Sequence, residues 1–132
     1  MIGQDDGHVL AFDLMSGNPL WDFNAGEPVM ATPAFFVGAT QVYVPSKSHV
    51  HKIDTDGTLV QQINFATTLS SAAMTLDSVY IGSDAGLFTL QFDLSTAGVD
   101  SGALGGGSSP AVAPDGTIYA VGVDHILRAY RR

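Results

Sequence analysis

The 132 residues predict an all-β fold built from a repeated unit. Apolar residues alternate with polar ones or form short runs that end at Gly, Asp, Asn or Ser, which is typical of short strands joined by hairpins. No window of eleven or more residues shows the apolar stripe of an amphipathic helix. Two landmarks, a β-branched residue followed by tyrosine and a small-residue segment before it, recur with a period near 38 residues.

The two landmarks divide the chain. The tyrosine pairs, 37 and 39 residues apart, are Val42-Tyr43, Val79-Tyr80 and Ile118-Tyr119. The small-residue segments, 39 and 38 residues apart, are Thr32-Pro33-Ala34, Ser71-Ala72-Ala73 and Ser109-Pro110-Ala111. We therefore expect one domain with units 1–28, 29–67, 68–107 and 108–132, of which the first begins late. Such a helix-free unit of four short strands is typical of a β-propeller blade, so the chain should form about 3.5 four-stranded antiparallel blades.

The strands are expected in chain order. The first unit should have strands at 2, 9–14 and 19–24. The second should have them at 33–37, 41–45, 50–54 and 59–65, with Asp56-Gly57 as a hairpin turn because glycine tolerates a positive φ. The third should have them at 71–76, 78–82, 87–92 and 99–104, and the fourth at 110–113, 117–121 and 126–130.

Composition excludes several classes of protein. There are 13 acidic and 5 basic residues, for a net charge of −8, and the only adjacent basic pair is Arg131-Arg132. A surface for nucleic acid or anionic membrane is therefore not expected, because it needs clustered Lys and Arg. The absence of cysteine excludes disulfides, thiolate zinc sites and cysteine nucleophiles. No apolar stretch reaches the length of a membrane span, and the start lacks signal-peptide character, so we expect a soluble chain.

Residues 11–21 read Ala-Phe-Asp-Leu-Met-Ser-Gly-Asn-Pro-Leu-Trp. They resemble the tryptophan-docking motif of pyrroloquinoline-quinone-type repeats, Ala-x-Asp-x-x-Thr-Gly-x-x-x-Trp, through Ala11, Asp13, Ser16, Gly17 and Trp21. The Asp and Ser side chains can close the turn, glycine permits it, and the indole should pack on the neighbouring blade. Residues 108–119 resemble the start of the inner strand in the same repeats. The resemblance implies a propeller of the quinoprotein type.

The histidines are weak surface candidates for a site. We expect His8, His49 and His125 at matching positions, at the start of the third strand of their blades, with Leu87 in the third unit and His51 beside His49. Zinc or copper could use such ligands, but blades stand about 10 Å apart, too far for two metal bonds of about 2 Å. The aspartates next to glycine predict turns, and a calcium loop beginning at Asp54 fails because its twelfth position is Phe65. We expect no catalytic, cofactor-binding or metal-binding residue.

The resemblance leaves three functions open. Quinoprotein dehydrogenases use pyrroloquinoline quinone (PQQ) and calcium at the centre of an eight-bladed ring, whereas similar noncatalytic repeats include a periplasmic scaffold of outer-membrane protein assembly. The chain has no cysteine and fewer than half of those blades, so no quinone-binding residue carries over. We therefore expect a noncatalytic scaffold that binds protein, without a cofactor. The composition leaves the compartment open, and the resemblance implies the periplasm or the outside of the cell. The alternatives are a fragment of a PQQ-dependent dehydrogenase and a carbohydrate-binding or carbohydrate-processing propeller using Trp21, Phe35 and Tyr43.

The predicted strands leave the two terminal blades incomplete. Exposed strand edges and an uncovered blade face are a liability that proteins normally cover. We therefore expect self-association, in which two copies complete one ring or the termini pair edge to edge. The alternative is a four-bladed ring that closes on itself.

Overall fold

The computed structural model describes residues 1–35, 38, 40–65, 69–101, 108–122 and 124–131. These residues form four antiparallel sheets and contain no α-helix. The first sheet has β1 (Ile2–Gly3), β2 (His8–Phe12) and β3 (Pro19–Asn24), and the second has β4 (Ala34–Phe35), β5 (Gln41–Pro45), β6 (His49–Asp54) and β7 (Leu59–Asn64). The third has β8 (Leu69–Met74), β9 (Val79–Ser83), β10 (Gly86–Leu90) and β11 (Thr96–Asp100), and the fourth has β12 (Ala111–Val112), β13 (Ile118–Val121) and β14 (Leu127–Tyr130).

Each sheet is a meander, since its strands lie side by side in chain order. This confirms the predicted all-β propeller architecture of three- and four-stranded antiparallel blades. The main difference in strand position is β11, which was expected at 99–104 and spans Thr96–Asp100. It starts early because the turn before it is tight: the Asp93 carboxylate accepts a hydrogen bond from the Ser95 backbone N–H at 2.9 Å. Part of the expected strand, residues 102–104, lies outside the described residues.

Three apolar clusters join consecutive sheets. Val9 and Phe23 of the first sheet pack with Val42, Val44 and Ile53 of the second. Tyr43 and Val50 on the other face of the second sheet pack with Val79, Ile81 and Leu90 of the third. Tyr80 and Leu87 on the other face of the third sheet pack with Ile118 and Ala120 of the fourth. Because side chains alternate along a strand, Tyr43 and Tyr80 point toward the next blade and their neighbours in the strand point toward the previous one.

The two ends of this stack are open. Tyr43 and Tyr80 are 3% and 4% exposed, whereas the corresponding Tyr119 of the last blade is 38% exposed. On the first blade, Ile2 and Phe12 are exposed on the face that points away from the second blade. The expected alternative of a self-closed four-bladed ring is therefore wrong, because such a ring would bury both faces.

Among the described residues, no helix has the length and apolar character that crossing a membrane requires.

Candidate functional site

The predicted docking motif forms the loop between β2 and β3. The Asp13 carboxylate accepts hydrogen bonds from the backbone N–H of Met15 at 3.1 Å and of Ser16 at 2.7 Å, and from the Ser16 hydroxyl at 2.8 Å. Gly17 has a φ of +72°, and its N–H donates to the Asp13 carbonyl at 2.9 Å. Hydrogen bonds from the Ser16 backbone N–H, and then from its hydroxyl, lower the pKa of Asp13. Ala11 is buried in β2. The motif therefore holds its loop in one conformation.

Trp21 joins the first two blades. Its indole Nε1 donates to the carbonyl oxygen of Thr55 at 2.7 Å, in the turn between β6 and β7. The ring lies on Gly57, where an added Cβ would stand 2.9 Å from Cγ of the indole. Gly57 also has a φ of +89°, which glycine adopts without steric cost. A glycine is therefore required here both by the backbone and by the tryptophan above it.

The next junction uses different side chains at the same places. Gln61 stands near the tryptophan position, and its Nε2 donates to the carbonyl of Asp93 at 2.9 Å. Leu94 takes the place of the turn glycine with a φ of +63°, and it is buried in the cluster between the second and third blades. The Tyr43 hydroxyl donates to the Phe92 carbonyl at 2.9 Å across the same junction, and burial raises the pKa of Tyr43. A smaller docking side chain is thus matched by a larger turn residue.

The histidines do not occupy one repeated position. His8 and His49 begin β2 and β6, but Gly86, not Leu87, begins β10. His125 precedes β14 by two residues and adopts a φ of +61° in the turn, where its N–H donates to the Gly122 carbonyl at 3.0 Å. Only His8 and His49 are therefore equivalent. His8 Nδ1 lies 2.7 Å from Asp22 Oδ1, and this hydrogen bond raises the pKa of His8.

A polar clamp, which the sequence did not reveal, fastens the connection between the first and second blades. The Glu27 carboxylate accepts hydrogen bonds from the hydroxyls of Ser46 and Ser48, from the backbone N–H of Ser48 and His49, and from His49 Nδ1 at 3.0 Å. Burial opposes the ionisation of Glu27, but these donors outweigh burial and lower its pKa to about 2. Glu27 is therefore an anion at every physiological pH.

His51 completes the clamp and is not the surface residue that was expected. It is 1% exposed, because it lies on the face of β6 that the first blade covers, with its ring edge-on to Phe23. Its Nε2 is 2.9 Å from the Ser46 hydroxyl. The Ser46 hydroxyl has one proton, and the Glu27 carboxylate is a stronger acceptor than the His49 carbonyl, which lies 3.0 Å from it; we therefore assign His51 Nε2 as the donor in this pair. Burial lowers the pKa of His51, so the imidazole is neutral near pH 7.

The serine and histidine of the clamp do not form a reactive pair. Ser46 is 2% exposed and its hydroxyl proton is engaged with a carboxylate, whereas a nucleophile needs a free path to substrate and a base that accepts its proton. The hydrogen bonds of the clamp hold the connection between the first and second blades in place.

The carboxylates of the described residues fit turn formation better than calcium binding. Asp56, Asp93, Asp115 and Asp124 each accept a backbone N–H two residues further along the chain. In the described part of the chain, no three His, Asp or Glu side chains lie close enough to hold a metal ion. Of the three aromatic residues considered for sugar stacking, Trp21 and Tyr43 lie in blade junctions, and Phe35 is exposed.

Comparison with known proteins agrees with the propeller architecture. BamB from Moraxella catarrhalis aligns over 98% of this chain and 41% of its own chain, with 19% identity and a TM-score of 0.81. The computationally designed Ika4 protein aligns over 97% of this chain and 81% of its own, with 14% identity and a TM-score of 0.73. The chain thus spans about two fifths of the BamB chain. No family model and no curated protein matches the sequence.

Proposed function

We propose that the chain is a noncatalytic propeller segment that binds a protein partner through one edge of its blades. In an antiparallel meander, the turns after the first and third strands lie on one edge, and the turn after the second lies on the other. In the first blade, β1–β3 take the places of the second to fourth strands. The turns of the first group that the structure describes in full, which we call the turn edge, comprise residues 13–18, 55–58, 75–78, 91–95 and 113–117. The proposal rests on the chemistry and rigidity of this edge.

The turn edge combines exposed apolar side chains with negative charge. Leu14 and Met15 are 95% and 93% exposed on a loop that Asp13 holds by three hydrogen bonds. This is the single observation that carries the proposal, because a large apolar side chain on a rigid loop loses little entropy on binding and makes an effective interface anchor. Each of the five turns contains one aspartate and none contains Lys or Arg.

The edge also contains a recess for a partner's side chains. A cleft of about 650 Å³ lies between the turn that follows β8 and the turn that follows β12. Leu76 and Pro114 stand on its two sides, with Asp115 at one wall. The lining carries two carboxylates, Asp77 and Asp115, against one guanidinium, Arg131. This balance, together with the apolar contacts, favours a partner segment that carries basic and apolar residues.

A selection from a phage-displayed library of random peptides tests this proposal. Selected peptides should carry basic and apolar residues, and a synthetic one should bind in fluorescence anisotropy titrations. The double variant Leu14→Asp with Met15→Asp should weaken that binding about tenfold or more. Met30→Asp is the matched control, since Met30 is equally apolar and exposed but lies on the opposite edge, beside Ser46 and Lys47. Equal affinity of the wild type and the double variant would contradict the proposal.

The quinone-dependent alternative has its own test. The scaffold proposal predicts no saturable change in absorbance when the chain is titrated with PQQ and Ca²⁺, and no reduction of a dye when alcohol or sugar is added. Saturable PQQ binding accompanied by dye reduction would replace the scaffold proposal with the dehydrogenase one.

A further inference from the structure

The faces that meet at each internal junction follow a fixed rule. The tyrosine-bearing face of one blade covers the opposite face of the next, as Tyr43 of the second blade does to Val79 and Ile81 of the third. The last blade presents the same face to solvent, where Tyr119, Val121 and Leu127 are all exposed. Strand pairing places Val121 opposite Leu127 and Tyr119 opposite Ala129, so these side chains form one apolar surface, which we call the tyrosine face.

The first blade presents the complementary face. Ile2 and Phe12 are 58% and 39% exposed, whereas Val44 and Ile53, at the same places of the second blade, are both 0% exposed. Leu10 lies between them in the register, opposite Ile2. We call this surface, formed by Ile2, Leu10 and Phe12, the leading face. It corresponds to the surface that the preceding blade buries at every internal junction.

Charge favours contact between these two particular blades. The first unit, 1–28, has five acidic residues and no Lys or Arg. The last unit, 108–132, has two acidic residues and three arginines, the highest share of basic residues in any unit. Asp22 lies beside Leu10 in the strand register of the first blade, so negative charge reaches the leading face itself. Arg131 lies toward the third blade, so the attraction is between the opposite net charges of the two units. A contact of the last blade with the first is therefore attractive, whereas two first blades would repel each other.

We propose that two copies of this chain dock head to tail, the tyrosine face of each on the leading face of the other, and close one ring. This inference goes beyond the proposed function, since it concerns the two end faces of the stack and not the turn edge. The junction should also reproduce the polar contact of Tyr43, whose hydroxyl donates to the carbonyl of Phe92, the second residue after β10. The corresponding carbonyl in the first blade is that of Leu14, which follows Asp13 as Phe92 follows Gln91. Tyr119 of one copy therefore donates to the Leu14 carbonyl of the second copy.

Two features of this arrangement can be checked without a structure of the assembly. A head-to-tail junction closes a ring only if the rotation between copies is right, and otherwise it forms open filaments. It also requires two different faces, so a defect on one face can be rescued by a partner whose defect is on the other.

Light scattering coupled to size-exclusion chromatography measures the first feature. The wild-type chain should show twice its mass of 13.8 kDa, with no larger species. Val121→Glu with Leu127→Glu should give monomers, and so should Phe12→Glu. Val60→Glu is the matched control, because Val60 is similarly exposed but lies in β7, outside both faces, and it should leave the dimer intact. Circular dichroism shows whether each variant is folded, and all the substituted side chains are exposed.

Mixing the two face variants measures the second feature. Each homodimer would contain two defective junctions, but the mixture contains one intact junction and should regain mass that neither variant shows alone. Tyr119→Phe should weaken the dimer by about thirtyfold, because each of the two junctions in the ring loses one hydrogen bond of about 1 kcal/mol. A wild type that stays monomeric, a series of growing oligomers, or dimers that survive the Val121 and Leu127 substitutions would each overturn the inference. Peptide binding can be measured on the Val121→Glu, Leu127→Glu variant, which keeps every residue of the turn edge, so a failure here is distinguishable from failure of the proposed function.

Discussion

Removing the charge of Glu27 should loosen the connection between the first two blades. The variant is Glu27→Gln, which keeps the size of the side chain but replaces an anion that accepts five hydrogen bonds from Ser46, Ser48 and His49. The difference between the ordinary pKa of 4.5 and the folded value of about 2 corresponds to about 3 kcal/mol of stabilisation. The Glu27 side chain is 19% exposed, and solvent screens its interactions. We therefore expect Glu27→Gln to lower the free energy of unfolding by about 2 kcal/mol at pH 7.

The stabilisation by Glu27 should decrease as the pH falls. Because the folded state depresses the pKa of Glu27, the stabilisation is complete above the unfolded pKa of 4.5 and is lost as the pH falls toward 2. The stability difference between wild type and Glu27→Gln should therefore be constant from pH 7 to about pH 5 and shrink by about half or more at pH 3.

Urea denaturation followed by the fluorescence of Trp21 measures both effects, because this single tryptophan lies at the junction that Glu27 fastens. Asp84→Asn is the control: it removes an exposed carboxylate from the turn between β9 and β10, on the same edge, and should leave the midpoint unchanged. A stability difference that is absent at pH 7, or that does not vary down to pH 3, would refute the reasoning about the clamp.

Two further predictions concern the blade junctions. Gly57→Ala should lower the free energy of unfolding by about 2 kcal/mol or more, because the new methyl group meets the Trp21 ring and the φ is positive. Gly116→Ala is the control: its φ is +81° but the space around it is open, so it should lower the free energy of unfolding by about 1 kcal/mol through backbone strain alone. A loss at Gly57 no larger than at Gly116 would remove the steric argument. Tyr43→Phe should cost about 1 kcal/mol in urea denaturation by deleting the hydrogen bond to a carbonyl of the third blade. In the Val121→Glu, Leu127→Glu background, which we expect to be monomeric, Tyr119→Phe should cost nothing, because Tyr119 is exposed there; equal effects in that background would contradict the assignment of the junction.

The sequence predicted the features that are set locally. The alternation of apolar and polar residues, the turn residues and the 38-residue period predicted which segments form each sheet, since each strand pairs with its neighbour in the chain. The turn at Asp13 and Gly17 was equally predictable, because its hydrogen bonds lie within four residues. The start of β11 was missed because it depends on the particular geometry of the Asp93 turn.

The clamp could not be predicted, because its donors lie 19 to 22 residues from Glu27 and belong to the next blade. A single glutamate in a connection carries no local signal of such partners. The position of His51 was missed for the same reason: alternation put His49 and His51 on one side of β6, but only the docked first blade shows that this side is covered. Sequence periodicity finds blades, and packing between blades decides which polar residues are buried.

The most direct test of the stacked-blade account is the contact of Trp21 with the second blade. Because the chain has one tryptophan, its indole N–H gives a single, assignable NMR signal. The account predicts nuclear Overhauser effects from the indole ring to the α-protons of Gly57 and slow exchange of the indole proton, which is bonded to the Thr55 carbonyl. An indole proton that exchanges rapidly with water and shows no effect to Gly57 would contradict it.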